Sequence, residues 1–127
     1  MGILLDTHAA LWWLADARNL TRDARGAISR AVDKEGVFVS SVSVLEIGER
    51  SARRSMPSTD AFVQDLEESG FRLLPFDVQD ALAAAELPRI HGDPLDRALA
   101  AQAQRRQLTL MTADRALLQY PIAVFRL

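Results

Sequence analysis

Five short apolar runs, each too short for a helix and each separated from the next by helical patterning, constrain this chain most. Gly2–Leu5 (GILL), Val37–Val39 (VFV), Phe71–Phe76 (FRLLPF), Leu108–Met111 (LTLM) and Ile122–Phe125 (IAVF) read as strands. The segments between them carry helix start and stop signals. Thr7 onward (THAALWWLADA) reads as a helix broken at Asn19. Thr21 caps a second, with Ala24, Ala27, Ile28, Ala31 and Val32 at helical spacing before Gly36. Ser43 followed three positions on by Glu46 matches a capping box and predicts a helix that ends before Pro57. Ser58 or Thr59 opens the next, closed at Gly70. Asp77 with Asp80 opens another, stopped at Pro88. Asp93–Pro94 opens a helix with an apolar face, running to about Arg105–Arg106, with Asp93 as its cap and Pro94 at its first position. Thr112 is expected to cap a last short helix carrying Asp114, ended by Pro121.

Continuously apolar strands alternating with helices imply a mostly parallel sheet covered on both faces, an α/β sandwich of three layers. At 127 residues, without a repeat or linker, one domain over 1–127 is expected. There is no cysteine, which excludes disulfides, thiolate metal sites and cysteine nucleophiles. No apolar run approaches the ~20 residues of a membrane span. The leading MGILLDTHAALWWLAD lacks a basic start and contains Asp6 and His8, so it reads as a strand entering a helix and not as a signal peptide. A cytoplasmic protein is expected. Net charge is −2, so any nucleic-acid partner needs a local patch or metal ions.

In open parallel sheets, ligands sit beyond the carboxyl ends of the strands. Asp6 ends the first strand, Glu46 lies just after the second, and Asp93 and Asp96 lie in the first turn of the helix that Asp93–Pro94 opens. Thr112 and Asp114 follow the fourth strand. Each has an ordinary explanation singly: Asp93 caps, and acids in a first turn are favoured by the helix dipole. Together they would repel, since two carboxylates ~4 Å apart cost about 4 kcal/mol at an effective dielectric near 20. Such a cluster needs raised pKa values or a bound cation. Oxygen donors without cysteine favour Mg²⁺ or Mn²⁺ over Zn²⁺. Arg50, Arg53 and Arg54 are candidates for phosphate contact, as is Arg97, though each also suits a surface ion pair. His8 and His91 read as proton shuttles, substrate contacts or hydrogen-bonded structural residues. Trp12 and Trp13 read as core and interface residues more than as base-stacking platforms.

Four pieces, LLDTHAALWWL, SSVSVLEIGE, ELPRIHGDPLDRALAAQAQ and LTLMTADRALLQY, resemble in content and order the PIN-domain family, and within it the VapC-type toxins of bacterial toxin–antitoxin systems. The resemblance spans about the whole chain. It implies a PIN-like α/β/α sandwich, Mg²⁺- or Mn²⁺-dependent endoribonuclease activity, a homodimer and inhibition by a cognate antitoxin. The family's acids fall on Asp6, Glu46, Asp96 and Asp114, implied metal ligands and catalytic residues. Thr7 and Thr112 match hydroxyl positions near the metal, and Asp93 an acid ranked as a capping or supporting residue. Leu95 stands where the family more often has Phe, and Val44-Leu45 where Trp before the Glu is common.

Other readings fit less well. Haloacid-dehalogenase-type enzymes need D-x-D where this chain has Asp6-Thr7-His8, and receivers need a late lysine where the sole lysine is Lys34. Phosphate-binding glycine motifs are absent. A PIN nuclease of RNA processing outside a toxin–antitoxin pair, or a catalytically idle binding module of the same fold, are the alternatives.

Overall fold

The computed structural model describes residues 1–52 and 58–127, so Arg53, Arg54 and Pro57 lie outside the described residues. Five parallel strands form one sheet in the order β3-β2-β1-β4-β5. They are β1 (Ile3–Leu5), β2 (Val37–Ser40), β3 (Arg72–Leu74), β4 (Thr109–Thr112) and β5 (Val124–Arg126). The helices are α1 (Thr7–Leu14), α2 (Arg22–Val32), α3 (Ser41–Ser51), α4 (Thr59–Glu68), α5 (Val78–Glu86) and α6 (Pro94–Arg106), with a 3-10 turn at Arg115–Gln119. All five expected strands are present with somewhat different ends: β2 gains Ser40, β4 and β5 extend to Thr112 and Arg126, and β3 loses Phe71, Pro75 and Phe76.

Alternation along the strands explains why the runs are apolar throughout. Ile3, Leu5, Val37, Val39 and Met111 face a core shared with α1, α2 and α4, including Ile28, Phe62 and Leu66. Leu4 and Leu110 point the other way, into a core built with α6, Leu87, Leu117 and Tyr120. Along the central strand β1 both faces are buried, so a polar residue there would need a hydrogen-bond partner. On α6, Ala98, Ala100, Ala101 and Ala103 are buried beside Leu99, small side chains that bring the helix axis close to the sheet.

The helix starts were legible where a cap stands alone. Thr21, Ser58, Asp77 and Asp93 all cap as expected, and Asp77 with Asp80 forms a reciprocal capping box. Two starts differ. Ser43 does not open α3: Ser40, the last residue of β2, caps it by accepting the Val42 N–H at 3.1 Å, so strand passes to helix with no loop. Ser43 is buried one turn in and bonds to Thr7 instead. Likewise Thr112 ends β4, and Asp114 is the cap, accepting the Ala116 N–H at 2.9 Å.

The register puts the acids together. Ile3–Leu5 pairs with Thr109–Met111 on one side and with Val37–Val39 on the other. The carboxyl ends of β1, β2 and β4 therefore finish side by side, carrying Asp6, Glu46 (through α3) and Asp114. Chain reversal at Gln107, a left-handed residue at φ 55, turns α6 directly into β4. The helix thus runs opposite to the strand, and its N-terminus, with Asp93 and Asp96, reaches the same edge.

Candidate active site

Asp6, Thr7, His8, Trp12, Glu46, Arg50, Asp93, Asp96, Ala113 and Asp114 line one cleft of about 360 Å³ at that edge. Asp6 is buried and caps α1, its Oδ1 accepting the Ala9 N–H at 2.8 Å. Burial raises its pKa above the ordinary carboxylate range against the pull of the Thr112 side chain, the Ala9 N–H and His8, and Glu46 adds to the rise. Glu46 is held by donors on both oxygens. The Thr7 hydroxyl stands 2.7 Å from Oε1 and 2.9 Å from Ser43 Oγ. Because a carboxylate only accepts, Thr7 gives its proton to Glu46 and receives one from Ser43. The Arg50 guanidinium donates to Oε2.

Across the cleft, Asp114 accepts the Ala116 N–H through Oδ1, and its Oδ2 lies 2.6 Å from His91 Nε2. Burial favours the neutral carboxyl there, but the hydrogen bonds from His91 and Ala116 prevail and hold its pKa below the ordinary value. Asp96 is the contrasting case. Its one polar neighbour at bonding range among the described residues is His91 Nε2, at 3.3 Å. Burial, with Asp93, Asp114 and Glu46 nearby and His91 opposing, pushes its carboxyl up to about 6. The bland reading of Asp96 as the far half of a capping box is not realised. The Asp93 N–H goes to His91 Nδ1 at 3.0 Å instead.

The residues fit a divalent cation. Carboxylate oxygens of Asp96 and Asp114 lie within 4.8 Å of each other, and Asp6 and Glu46 face the same space. Asp96 in particular is an anion short of positive charge. Hard carboxylate oxygens suit Mg²⁺ or Mn²⁺.

The arginines fare differently from expectation. Arg97 is neither open to solvent nor paired with a carboxylate. It is buried, and its guanidinium donates to the carbonyls of Pro88 (2.7 Å), Ala84 (2.8 Å) and Leu87 (3.0 Å) and to Tyr120 Oη (3.2 Å). Three carbonyls at the end of α5 are better matched by a planar fork than by water. Arg50 lines the cleft while paired to Glu46. Trp12 also lines it, its ring 5.8 Å from that of His8, whereas Trp13 packs on Phe71 and donates to Ser69 Oγ. The residue that spacing underrated is His91. Its position two residues before the Asp93 cap, where a ring nitrogen can take the cap's N–H, was the signal.

The sequence matches the model of the PIN domain over residues 3–123. The chain belongs to the PIN-domain family. Ribonuclease VapC22 of Mycobacterium tuberculosis is 30% identical to this PIN domain over 116 residues, covering 91% of this chain and 88% of that protein. VapBC2 of Rickettsia felis, solved bound to a DNA fragment of its promoter, has the same fold at a TM-score of 0.76 and 14% identity, covering 100% and 99% of the two chains. FitAcB of Neisseria gonorrhoeae matches at 0.71 and 24% identity, covering 98% and 96%. Among the described residues of this PIN domain, no helix is long and apolar enough to cross a membrane.

Proposed function

We propose that this protein, a single PIN-like unit over 1–127, is a metal-dependent endoribonuclease of the VapC type. It acts in the cytoplasm as the toxin of a toxin–antitoxin pair and is inhibited by its cognate antitoxin. The observation that carries the reading is the convergence of Asp6, Glu46, Asp96 and Asp114 on one cleft, with Asp96 held at about 6 by burial and its acidic neighbours. The similarity to Ribonuclease VapC22 over nearly the whole of both chains supports the activity. The fold shared with a toxin–antitoxin complex of Klebsiella pneumoniae and with a VapBC toxin–antitoxin system of Mycobacterium tuberculosis supports the architecture on which such pairing is built.

Asp6, Asp96 and Asp114 would hold Mg²⁺ or Mn²⁺, with Glu46 as a further ligand or as the base that orients water. When bound, a divalent ion supplies an activated water and neutralises charge developing on the phosphate. The Thr7 and Ser43 hydroxyls fix Glu46, Asp93 opens α6 so that Asp96 projects into the cleft, and Thr112 holds the turn before Asp114 by accepting its N–H at 3.0 Å. Arg50, and Arg53 beyond the described residues, stand near enough in sequence to Glu46 to meet the RNA backbone. A homodimer is expected of such a toxin.

Incubation of the purified protein with a structured RNA in Mn²⁺ or Mg²⁺, beside an EDTA control and the Asp96→Asn variant, tests this. Cleavage by the wild type alone, abolished by EDTA, supports the proposal. Cleavage that persists in the variant overturns the site. Absence of both cleavage and Mn²⁺ binding by the wild type overturns the function.

A further inference from the structure

Arg97 is spent inside the protein, yet it lies one residue from Asp96 and is joined to the opposite side of the cleft by an unbroken chain of hydrogen bonds. Its guanidinium fastens the end of α5 through Ala84, Leu87 and Pro88 and donates to Tyr120 Oη at 3.2 Å. The same Tyr120 oxygen accepts the backbone N–H of His91 at 3.0 Å. Tyr120 is buried, so water does not compete for that oxygen. His91 is thus anchored at its backbone by Tyr120 and at its ring by the Asp93 N–H, which points at Nδ1 from 3.0 Å. A nitrogen that accepts an N–H carries no proton, so hydrogen-bond geometry assigns the neutral ring's proton to Nε2. That proton faces Asp114 Oδ2 at 2.6 Å, with Asp96 Oδ2 at 3.3 Å.

We propose that Arg97 is a positioning residue for the acidic cleft: acting through Tyr120, it fixes the His91 backbone so that Nε2–H is presented to Asp114 and Asp96. The imidazole serves as a donor that sets the carboxylate orientations, and in this tautomer it is not a metal ligand. The inference rests on the nuclease reading only for its kinetic consequence, since the tautomer is a property of the metal-free protein.

Tyr120→Phe tests it, because the ring still fills its buried place while the oxygen shared by Arg97 and His91 is lost. Long-range ¹H–¹⁵N spectra of the metal-free protein at alkaline pH report the tautomer of each histidine, and His91→Gln identifies the His91 signals. The wild type should show a single Nε2–H tautomer at His91. Tyr120→Phe should shift it toward a mixture and lower kcat for RNA by about fivefold or more with KM little changed, the effect of misplaced reacting groups. Arg97→Lys, which keeps a cation but not the fork, should reproduce both effects in part. Unchanged His91 nitrogen shifts in a folded Tyr120→Phe variant overturn the proposal, as does a wild-type ring in the Nδ1–H form. A wild type that cleaves no RNA overturns the nuclease reading and leaves the tautomer measurement standing.

Discussion

Replacing Asp96 by Asn should make the metal-free protein more stable while abolishing its activity. Asp96 has its pKa moved from the ordinary 3.8 to about 6, burial being the largest cause. At about 1.4 kcal/mol per pKa unit, holding it ionised at neutral pH costs the folded state about 3 kcal/mol before discounting. The side chain is 28% exposed, so water screens part of that. The α6 dipole returns a further ~0.3–1 kcal/mol to an anion in the first turn. A working gain of about 1 kcal/mol remains for Asp96→Asn at pH 7.5. The folded carboxyl binds its proton more tightly than the unfolded one, so stability falls as pH rises from 3.8 toward 6, and the cost is complete above 6. The advantage of the variant should therefore shrink by more than half at about pH 4.5. Thermal denaturation in EDTA reads this directly, as a rise of about 3–5 °C in Tm at pH 7.5 for a domain of this size. Adding Mn²⁺ should then stabilise the wild type and leave the variant unmoved. A variant less stable than wild type at pH 7.5 in EDTA, or a gain independent of pH, would refute the account of Asp96 as an anion short of a cation.

Other residues carry opposite signs. Asp80 is buried against the Asp77 N–H and the guanidiniums of Arg106 and Arg105; burial alone would raise its pKa, but these partners hold it at about 2. Asp80→Asn should cost about 2–4 kcal/mol in urea denaturation at pH 7, less than for fully buried pairs because both arginines stay open to water, and the deficit should fade as pH drops from 3.8 toward 2. Gly36 sits at φ 96, and a Cβ there would come 3.1 Å from the Phe38 ring. Gly36→Ala should lower stability by about 1 kcal/mol or more, read as a lower Tm with activity at low temperature preserved. Phe62, 1% exposed, fills the core under α1 and α2, so Phe62→Ala should cost about 3–5 kcal/mol by chemical denaturation.

What could be read from residue order was whatever depends on neighbours in the chain. Apolar runs buried on both faces announce parallel strands, and Thr21, Ser58, Asp77 and Asp93 act on N–H groups two or three residues away. The four acids were legible because strand ends in a parallel sheet share an edge. What escaped depends on partners far apart. Ser43 and Glu46 look like a capping box, but Thr7, 39 positions from Glu46, takes up both side chains. Arg97 looks like a surface arginine until Tyr120, 23 positions on, and the α5 carbonyls surround it. His91 is read as a lone histidine because Asp114, its close partner, is also 23 positions away.

The central strand has a further consequence. β1 is made first, yet its neighbour β4 begins at Thr109, near the far end of the chain. A growing polypeptide therefore carries an unpaired β1 edge until most of its length has been synthesised. The cleft is divided in the same way, with Asp6 and Glu46 early, and Asp96 and Asp114 late. Neither portion holds the full set of acids, so the cleft is complete only when the last third of the chain docks.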